Sequence, residues 1–286
     1  MTTTKYALAL GMFDGVHMGH RAVLSGAVDS PFKGVAVTFS SIPFKSGGSL
    51  MTAEEKKEKM LKFGLDEVLF LDFFEIKDLS PEAFLELLAK KYDIGKICCG
   101  FNYRFGKKAA GDTTLLERWC KDRGIEFFEC PEVICEGDTV SSTRIKRLIL
   151  EGDIEQANRL LCDGFSFSAE VRHGDQRGRT MGFPTINQLY PENLVAPKCG
   201  VYQTVVTVGG REYDGVTNLG FRPTYITDYI SAETFILDYS GDCYGETVQT
   251  RLVRFLREEQ KFDSLEALKN AIDQNARFVS EHKQSV

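Results

Sequence analysis

Two histidines stand three residues apart in a glycine-rich segment near the start of the chain, residues 11–20. The segment reads Gly-Met-Phe-Asp-Gly-Val-His-Met-Gly-His and follows the short apolar run at residues 6–10. Its glycines let the backbone turn tightly and approach a ligand closely. A helix that begins here would offer unpaired N–H groups and a partial positive charge, and both favour phosphate. We therefore expect His17 and His20 to lie where a polyphosphate binds.

A second glycine-rich segment, residues 173–187, combines glycines with basic side chains and oxygen ligands. Glycines together with Arg177 and Arg179 can cradle phosphate groups through backbone N–H groups and charge. The Gly-Lys-Ser/Thr sequence of a Walker loop is absent from this segment. Thr185 and Asn187 offer oxygen ligands of the kind that Mg²⁺ prefers. The segment predicts a second phosphate site with a bound Mg²⁺.

Length and composition narrow the class of protein. A chain of 286 residues is long enough for two domains. Its net charge of −6 argues against a protein that binds nucleic acid non-specifically. The sequence has no apolar run of roughly 18 residues, so no contact with a membrane is expected, and it has no signal-peptide pattern at its start. The eight cysteines include no Cys-x-x-Cys pair, which favours reduced thiols in a cytoplasmic protein.

Short apolar runs alternate with helical patterns in the first half of the chain. The runs cover residues 6–10, 34–39, 67–71, 96–99 and 125–128. Runs without polar alternation suit strands that are buried on both faces of a parallel sheet. Helices are predicted after the capping-box pattern at residues 52–55, after Ser80-Pro81, and over residues 113–123. This order predicts a doubly wound α/β sheet, which binds its ligand beyond the carboxyl ends of the strands.

Two more segments of the first half are expected to join the histidine-bearing turn. Residues 100–106 follow the fourth predicted strand and therefore also lie at a carboxyl end. Residues 141–147 open a helix with hydroxyl and basic side chains, another arrangement that suits phosphate.

The second half of the chain has a different pattern. Several of its segments alternate between apolar and polar residues, and Gly209-Gly210 between two of them indicates a hairpin. Such a pattern predicts an antiparallel barrel or sandwich, of which we favour the barrel. One closing helix is predicted over residues 264–279. We place the domain boundary at residues 163/164, which gives domains 1–163 and 164–286.

Three motifs of the first half resemble the FMN adenylyltransferase module of bacterial bifunctional riboflavin kinase/FAD synthetases. They are Gly-x-Phe-Asp-Gly-x-His-x-Gly-His, Gly-x-Asn-aromatic-x-Phe-Gly and Ser-Ser-Thr-Arg-Ile, in this order. The first also resembles the His-x-Gly-His signature of other nucleotidyltransferases, which act on other acceptors. Gly-Arg-x-x-Gly-Phe-Pro-Thr-x-Asn, from residue 178, resembles the riboflavin kinase signature. The segments 197–202, 215–224 and 233–238 follow it in the order of that family, so the resemblance spans about residues 5–280.

The resemblance implies a Rossmann-like nucleotidyltransferase domain that adenylylates FMN to FAD, and a barrel domain that phosphorylates riboflavin to FMN. Both reactions would use ATP and Mg²⁺. The implied catalytic residues are His17, His20 and, as general base, Glu233; Thr185 and Asn187 would hold the metal. Contacts to ATP or flavin are implied for Gly11, Phe13, Asp14, Gly15, Gly19, Asn102, Ser142, Thr143 and Lys146 in the first half, and for Gly174, Arg177, Gly178, Arg179, Gly182, Pro184, Asn218 and Arg222 in the second.

The chain departs from the family at two places. Ser40-Ser41-Ile42-Pro43 stands where the family has an Asp-Pro-His-Pro-like segment, and Lys146 stands where the family has arginine. Lysine keeps the charge but lacks the planar fork that grips a phosphate with two hydrogen bonds. These departures leave one alternative open, a riboflavin kinase with a degenerate N-terminal domain. A second alternative is a flavin-binding regulator without turnover, which would be expected to lack Glu233.

Overall fold

The structure, a computed structural model, describes residues 4–40, 47–173, 183–222 and 229–284, with only the backbone of Arg222. Packing divides the chain into two compact units, Met1–Arg144 and Ile145–Val286. Among the described residues, no helix has the length and apolarity needed to cross a bilayer.

The first unit is built on a five-stranded parallel sheet. Its strands are β1 (Tyr6–Leu10), β2 (Lys33–Phe39), β3 (Glu67–Leu71), β4 (Ile94–Gly100) and β5 (Glu126–Cys130). They lie in the order β3-β2-β1-β4-β5, and every neighbouring pair is parallel. The strand order therefore reverses between β1 and β4, where ligands bind on such sheets. The predicted doubly wound sheet is confirmed.

Helices cover both faces of this sheet. They are α1 (Met18–Val28), α2 (Ala53–Lys62), α3 (Phe73–Ile76), α4 (Pro81–Lys91) and α5 (Thr113–Arg123), and a two-stranded ribbon of β6 (Ile134–Cys135) and β7 (Asp138–Thr139) follows β5. The predicted capping box is present: Thr52 accepts from the N–H of Glu55, whose side chain accepts from the N–H of Thr52. Gly124, in the left-handed conformation, ends α5.

The strands are apolar throughout because each face of the sheet has its own core. Leu8 and Leu10 pack in one buried cluster, and Ala7 and Ala9 pack in another. Adjacent strand residues point to opposite faces, so the run on β1 fills both clusters. The pair Cys98-Cys99 divides between the clusters in the same way, and burial raises the pKa of both thiols to about 12. Both cysteines therefore lie in the core, where the sequence predicted them.

Two helices connect the sheet to the second half. Helix α6 (Ser142–Glu151) begins in the first unit and ends in the second, and α7 (Ile154–Leu161) lies within the second unit. Asn158 on α7 donates to the carbonyl of Leu252 at 2.8 Å and accepts from the N–H of Phe165 at 2.8 Å. The packing thus divides the chain earlier than residue 163, where the sequence predicted the boundary, because these bonds tie α7 to the strands that follow it.

The second unit is a closed six-stranded barrel. Its strands are β8 (Ser166–Arg172), β9 (Thr185–Leu189), β10 (Gly200–Val208), β11 (Arg211–Arg222), β12 (Tyr229–Ile236) and β13 (Thr247–Arg257), followed by helix α8 (Leu265–Glu281). The order is β10-β11-β12-β9-β8-β13, and all pairs are antiparallel. The predicted barrel and closing helix are confirmed. Gly209 and Gly210, at φ 56° and 79°, form the predicted hairpin between β10 and β11.

Polar side chains fill part of the barrel interior. The hydroxyl of Thr217 bonds to those of Thr204 and Thr234, at 2.9 and 2.8 Å, and all three side chains are fully buried. Gln188 is also buried and donates to the carbonyls of Ala169 and Val248. Because strand residues alternate between faces, the neighbours of these inward residues point to the outside of the barrel.

Helix α8 covers part of that outer surface. Val279 of α8 packs in a cluster with Val201 and Val216, against which Phe235 and Phe278 also lie. Helix α8 thus packs on the outward side chains of β10, β11 and β12 that belong to this cluster.

Candidate functional site

A cavity of about 710 Å³ lies at the carboxyl ends of the strands in the first unit. Its lining includes the turn after β1, the ends of β2 and β3, the segments after β4 and β5, and the start of α6. The residues singled out from the sequence that line it are Gly11, Phe13, His17, Gly19, His20, Asn102, Ser142 and Thr143. The fold therefore brings together the three segments that the sequence placed at one site.

The two histidines form one stacked unit at the start of α1. His17 is the N-cap of this helix, and its Nδ1 accepts from the backbone N–H of His20 at 3.3 Å. The two rings stack with centroids 3.6 Å apart, and the ring of Phe13 meets that of His20 edge-on at 5.3 Å. Their position at a helix N-terminus suits an anionic ligand.

Burial makes His17 a neutral side chain near pH 7. It is 4% exposed, and desolvation lowers its pKa to about 4, against a smaller opposing effect of the Asp14 carboxylate. Because Nδ1 accepts a hydrogen bond, the proton of the neutral ring lies on Nε2, which can donate. Nε2 can therefore donate a hydrogen bond to an anionic ligand, whose negative charge would in turn raise the pKa of His17.

The turn that presents the histidines has a strained backbone. Phe13 and Val16 have φ of 49° and 42°, and Gly15 has φ of 93°. Each non-glycine residue in this region costs of order 1–3 kcal/mol and persists only where its surroundings fix it. Here Asp14 supplies two ties: its carboxylate accepts from the N–H of Leu50 at 2.7 Å, and its carbonyl accepts from the hydroxyl of Ser142 at 2.8 Å.

Asp14 and Gly15 are therefore placed differently from the other residues of the motif. Neither lines the cavity, and the Asp14 carboxylate is buried against the backbone of Leu50. Asp14 holds the turn through its carboxylate and its carbonyl, which both accept hydrogen bonds from the protein, and Gly15 adopts the positive φ that the turn requires.

Two glycines of the turn are needed for packing. A Cβ on Gly11 would lie 2.8 Å from the ring of Phe13, and one on Gly19 would lie 3.3 Å from the ring of His17. The rings that wall the cavity occupy the space that a side chain would need.

The start of α6 also holds the ribbon beside the cavity. Arg144 is buried and its Nη1 donates to the carbonyls of Cys135 and Asp138, both at 2.9 Å. Arg144 belongs to the Ser-Ser-Thr-Arg-Ile motif, and this role of its side chain is not visible in the sequence. Lys146 lies two residues further along this helix, beyond the boundary of the first unit, and is not part of the cavity lining.

Three predicted residues of the second unit are direct neighbours on the barrel. Glu233 on β12 is paired with Asn187 on β9 and with Asn218 on β11. Since their strand neighbours Thr234, Gln188 and Thr217 are the inward residues, all three point outward. Side chains so paired have Cβ atoms roughly 4.5–5.5 Å apart. A carboxylate flanked by two amides is thus assembled from three strands.

A second cavity, of about 520 Å³, opens beside this row. Pro184, Thr185 and Asn187 line it together with residues 239–244, whereas Glu233 and Asn218 do not. At its edge the ring of His173 stacks on that of Tyr244 with centroids 3.9 Å apart. We predict a loop for the glycine-rich segment 173–187, but Thr185 and Asn187 at its end lie on β9, because this short strand pairs with both β12 and β8.

Several predicted positions lie outside the described residues. These are Gly174, Arg177, Gly178, Arg179 and Gly182 of the glycine-rich segment, the side chain of Arg222, and residues 41–43 of the departure after β2.

Two side chains near these sites were not predicted from the sequence. Glu259 accepts from the amide of Asn218 at 3.2 Å, and nothing in the local sequence marks it. Lys56 is buried on α2 one turn before Met60, so its position on the apolar face of the helix could have identified it.

Thr185 and Asn187 offer a hydroxyl and an amide oxygen as metal ligands at the second cavity. Thr185 and Asn187 are two residues apart on β9 and therefore share a face. Within the described ranges, no group of three or more His, Cys, Asp or Glu side chains could hold a metal ion. A hydroxyl and an amide oxygen fit a cation that keeps most of its ligands from water and phosphate, as Mg²⁺ does.

Two family models match the chain, and the first of them ends at residue 144, where the first packed unit also ends. The family model described as FAD synthetase matches residues 1–144, and the one described as riboflavin kinase matches residues 161–282.

Three curated relatives, each named a bifunctional riboflavin kinase/FMN adenylyltransferase, match almost the whole chain. The protein from Listeria monocytogenes is 36% identical over 93% of this chain and 89% of its own. That from Escherichia coli K12 is 33% identical, over 93% and 88%, and that from Bacillus subtilis is 30% identical, over 95% and 90%. A solved structure from Streptococcus pneumoniae, named a macrolide-efflux protein, has a TM-score of 0.90 at 27% identity and covers 99% of this chain and 96% of its own.

Proposed function

Since the chain belongs to the family of bifunctional riboflavin kinase/FMN adenylyltransferases, we propose that each of its two units carries one of the two reactions. The enzyme phosphorylates riboflavin to FMN with ATP, and it adenylylates FMN to FAD with release of pyrophosphate. A kinase with a degenerate first domain and a regulator without turnover are not favoured, because both family models match. The observation that supports our placement of adenylyl transfer is the cavity at which the histidine pair, Asn102 and the start of α6 converge.

Adenylyl transfer would take place in the first unit. The phosphate of FMN attacks the α-phosphorus of ATP, a new P–O bond forms, and the bond to the β-phosphate breaks so that pyrophosphate leaves. No covalent enzyme intermediate is required, so the protein contributes position and charge stabilisation. His17 would donate from Nε2 to the phosphates, His20 would act beside it, and the exposed Thr143 at the start of α6 would hold another phosphate group.

Riboflavin phosphorylation would take place on the outer surface of the barrel. Glu233 accepts the proton of the ribityl 5′-hydroxyl while that oxygen attacks the γ-phosphorus of ATP and ADP leaves. Asn187 and Asn218, on either side of Glu233, would orient substrate, and Glu259 holds the amide of Asn218.

Thr185 and Asn187 would hold Mg²⁺ at the edge of the second cavity. When bound, this ion neutralises charge on the β- and γ-phosphates of ATP. The two side chains also fix the nucleotide relative to Glu233, because Asn187 is paired with it across the ladder.

We further place the activity in the cytoplasm. All eight cysteines are free thiols in the structure, as a reducing compartment would keep them.

Chromatography of the products from riboflavin, ATP and Mg²⁺ tests both reactions together. We expect FMN first and FAD later, with FAD also formed when FMN is supplied in place of riboflavin. Protein that makes FMN but no FAD, even at high enzyme concentration, would restrict the function to the kinase.

A further inference from the structure

A buried lysine lies behind the wall of the adenylyl-transfer cavity. The side chain of Lys56 on α2 is 5% exposed. Burial of an ammonium group is costly unless hydrogen bonds replace its water. Here Nζ donates to the carbonyl of Met12 at 3.1 Å and to that of Phe39 at 2.9 Å. The lysine thus joins two segments that lie 27 residues apart by sequence number.

Those two carbonyls belong to residues of the cavity wall. Met12 lies in the turn after β1 and Phe39 ends β2; both line the cavity, whereas Lys56 does not. The hydroxyl of the buried Thr38 donates to the same Met12 carbonyl at 2.9 Å. The carbonyl of Met12 is therefore held by two donors, and its partial negative charge is directed at them.

This arrangement fixes the part of the turn that precedes the strained residues. Phe13 follows Met12 directly and has the first of the positive φ angles that lead to His17. A turn of this kind keeps its shape only while its surroundings hold it. The two hydrogen bonds of Asp14 hold the turn after Phe13, and Lys56 holds Met12, the residue before Phe13.

We propose that Lys56 is a positioning residue for adenylyl transfer, which acts by holding the Met12 and Phe39 carbonyls so that the turn presents His17 to the triphosphate. The proposal rests on the assignment of adenylyl transfer to this cavity. Lys56 does not line the cavity, and it acts on the turn through the Met12 and Phe39 carbonyls.

Three variants separate this role from a general effect of charge or stability. Lys56→Met removes the donor and keeps an unbranched side chain in the same space. Lys57→Met removes a positive charge from the next, exposed position of the same helix. Thr38→Val removes the other donor to the Met12 carbonyl and preserves the shape of the side chain.

The measurements are the KM for ATP and the kcat of FAD formation from FMN. We expect Lys56→Met to raise the KM for ATP about tenfold and to lower kcat about tenfold, as loss of a charged hydrogen bond to the wall would do. Thr38→Val should act in the same direction by about threefold. The double variant should lose less than the product of the two effects, because both donors share one carbonyl. Lys57→Met should remain within twofold of wild type.

The kinase and the single tryptophan of the chain, Trp119 in the first unit, supply the controls. Riboflavin phosphorylation should stay within twofold in every variant, and Trp119 fluorescence reports the folding of the first unit.

A folded Lys56→Met with an unchanged KM for ATP overturns the proposal, and so does a loss of kcat that only follows the folded fraction. If Lys56→Met does not fold, Thr38→Val decides, and an unchanged KM there refutes the role. Wild-type protein that forms no FAD would instead refute the adenylyl-transfer assignment, and the role of Lys56 with it.

Discussion

At the scale of single residues, one side chain in each unit carries the predicted chemistry. The environment of His17 keeps its imidazole neutral and its Nε2 available as a donor. Glu233 stands between two amides on the outside of the barrel. Each therefore has a role that can be tested without disturbing the other, since they belong to different units.

Replacement of Glu233 by glutamine should stop riboflavin phosphorylation and spare FAD formation from supplied FMN. The amide keeps the shape but cannot accept the proton of the 5′-hydroxyl, so kcat should fall about 10²- to 10⁴-fold. Separate assays of FMN and FAD formation give the answer. Glu170→Gln, on the exposed face of β8, is the matched control and should keep both activities. Kinase activity near the wild-type value in Glu233→Gln would contradict its role as general base.

His17 should make the stability of the first unit depend on pH. Its folded-state pKa of about 4 lies below the ordinary value of 6.5, so the unfolded chain binds the extra proton between these values. The contribution is therefore fully present above pH 6.5 and is lost as the pH falls towards 4, by about 3 kcal/mol in all.

Urea unfolding followed by Trp119 fluorescence at several pH values measures this loss. His17→Asn keeps an N-cap side chain and removes the titration, so its stability should vary less over the same range. Equal pH dependence in the two proteins would show that another group is responsible.

At the scale of the elements, helix ends and loops build the first site and strands build the second. The turn before α1 and the start of α6 are joined by the bond from Ser142 to Asp14. On the barrel, three adjacent strands bring Asn187, Glu233 and Asn218 into one row. The geometry of the first site therefore depends on where helices begin, whereas that of the second depends on the register of the strand pairs.

Gly124 offers a test of one helix end. It terminates α5 at φ 65°, and a Cβ there would meet nothing within 4 Å. Gly124→Ala should therefore destabilise the first unit by about 1–2 kcal/mol through backbone conformation alone. Urea unfolding followed by Trp119, on the same helix, measures the change. Gly124→Asn is the control and should cost less, because asparagine tolerates this conformation; equal stability of the alanine variant and wild type would contradict the explanation.

At the scale of the whole molecule, the two cavities that we propose as active sites lie in two separately packed units. Each cavity is lined by residues of one unit only. FMN, the product of one site, is the substrate of the other.

Two inactive variants should therefore complement each other in a mixture. His17→Ala with His20→Ala should make FMN but no FAD, and Glu233→Gln should make FAD only from supplied FMN. A mixture of the two proteins should convert riboflavin to FAD, since free FMN can pass from one chain to the other. Chromatography of the mixture and of each variant alone gives the result. Absence of FAD from the mixture, with each variant retaining its own activity, would show that the two sites must share one chain.

Local sequence determined most of the elements. The strands at Tyr6–Leu10 and Glu67–Leu71 have the predicted bounds, because a strand buried on both faces needs an uninterrupted apolar run. Thr52 and Gly124 mark helix ends, because capping depends on residues within one turn. The motifs at residues 11–20 and 141–147 likewise predicted which loops would meet, since parallel strands share one carboxyl edge.

Only the tertiary structure determines which contacts form between residues that are far apart in the sequence. Asp14 reads as a ligand-binding carboxylate in the sequence, but the N–H of Leu50, 36 positions away, occupies one of its oxygens. Strand β9 lacks a clear strand pattern and exists through its pairing with β12 and β8. The outward direction of Glu233 follows from the closure of the barrel around Thr234 and Thr217. Such contacts join residues that are far apart in the sequence, and a local pattern of residue types does not specify them.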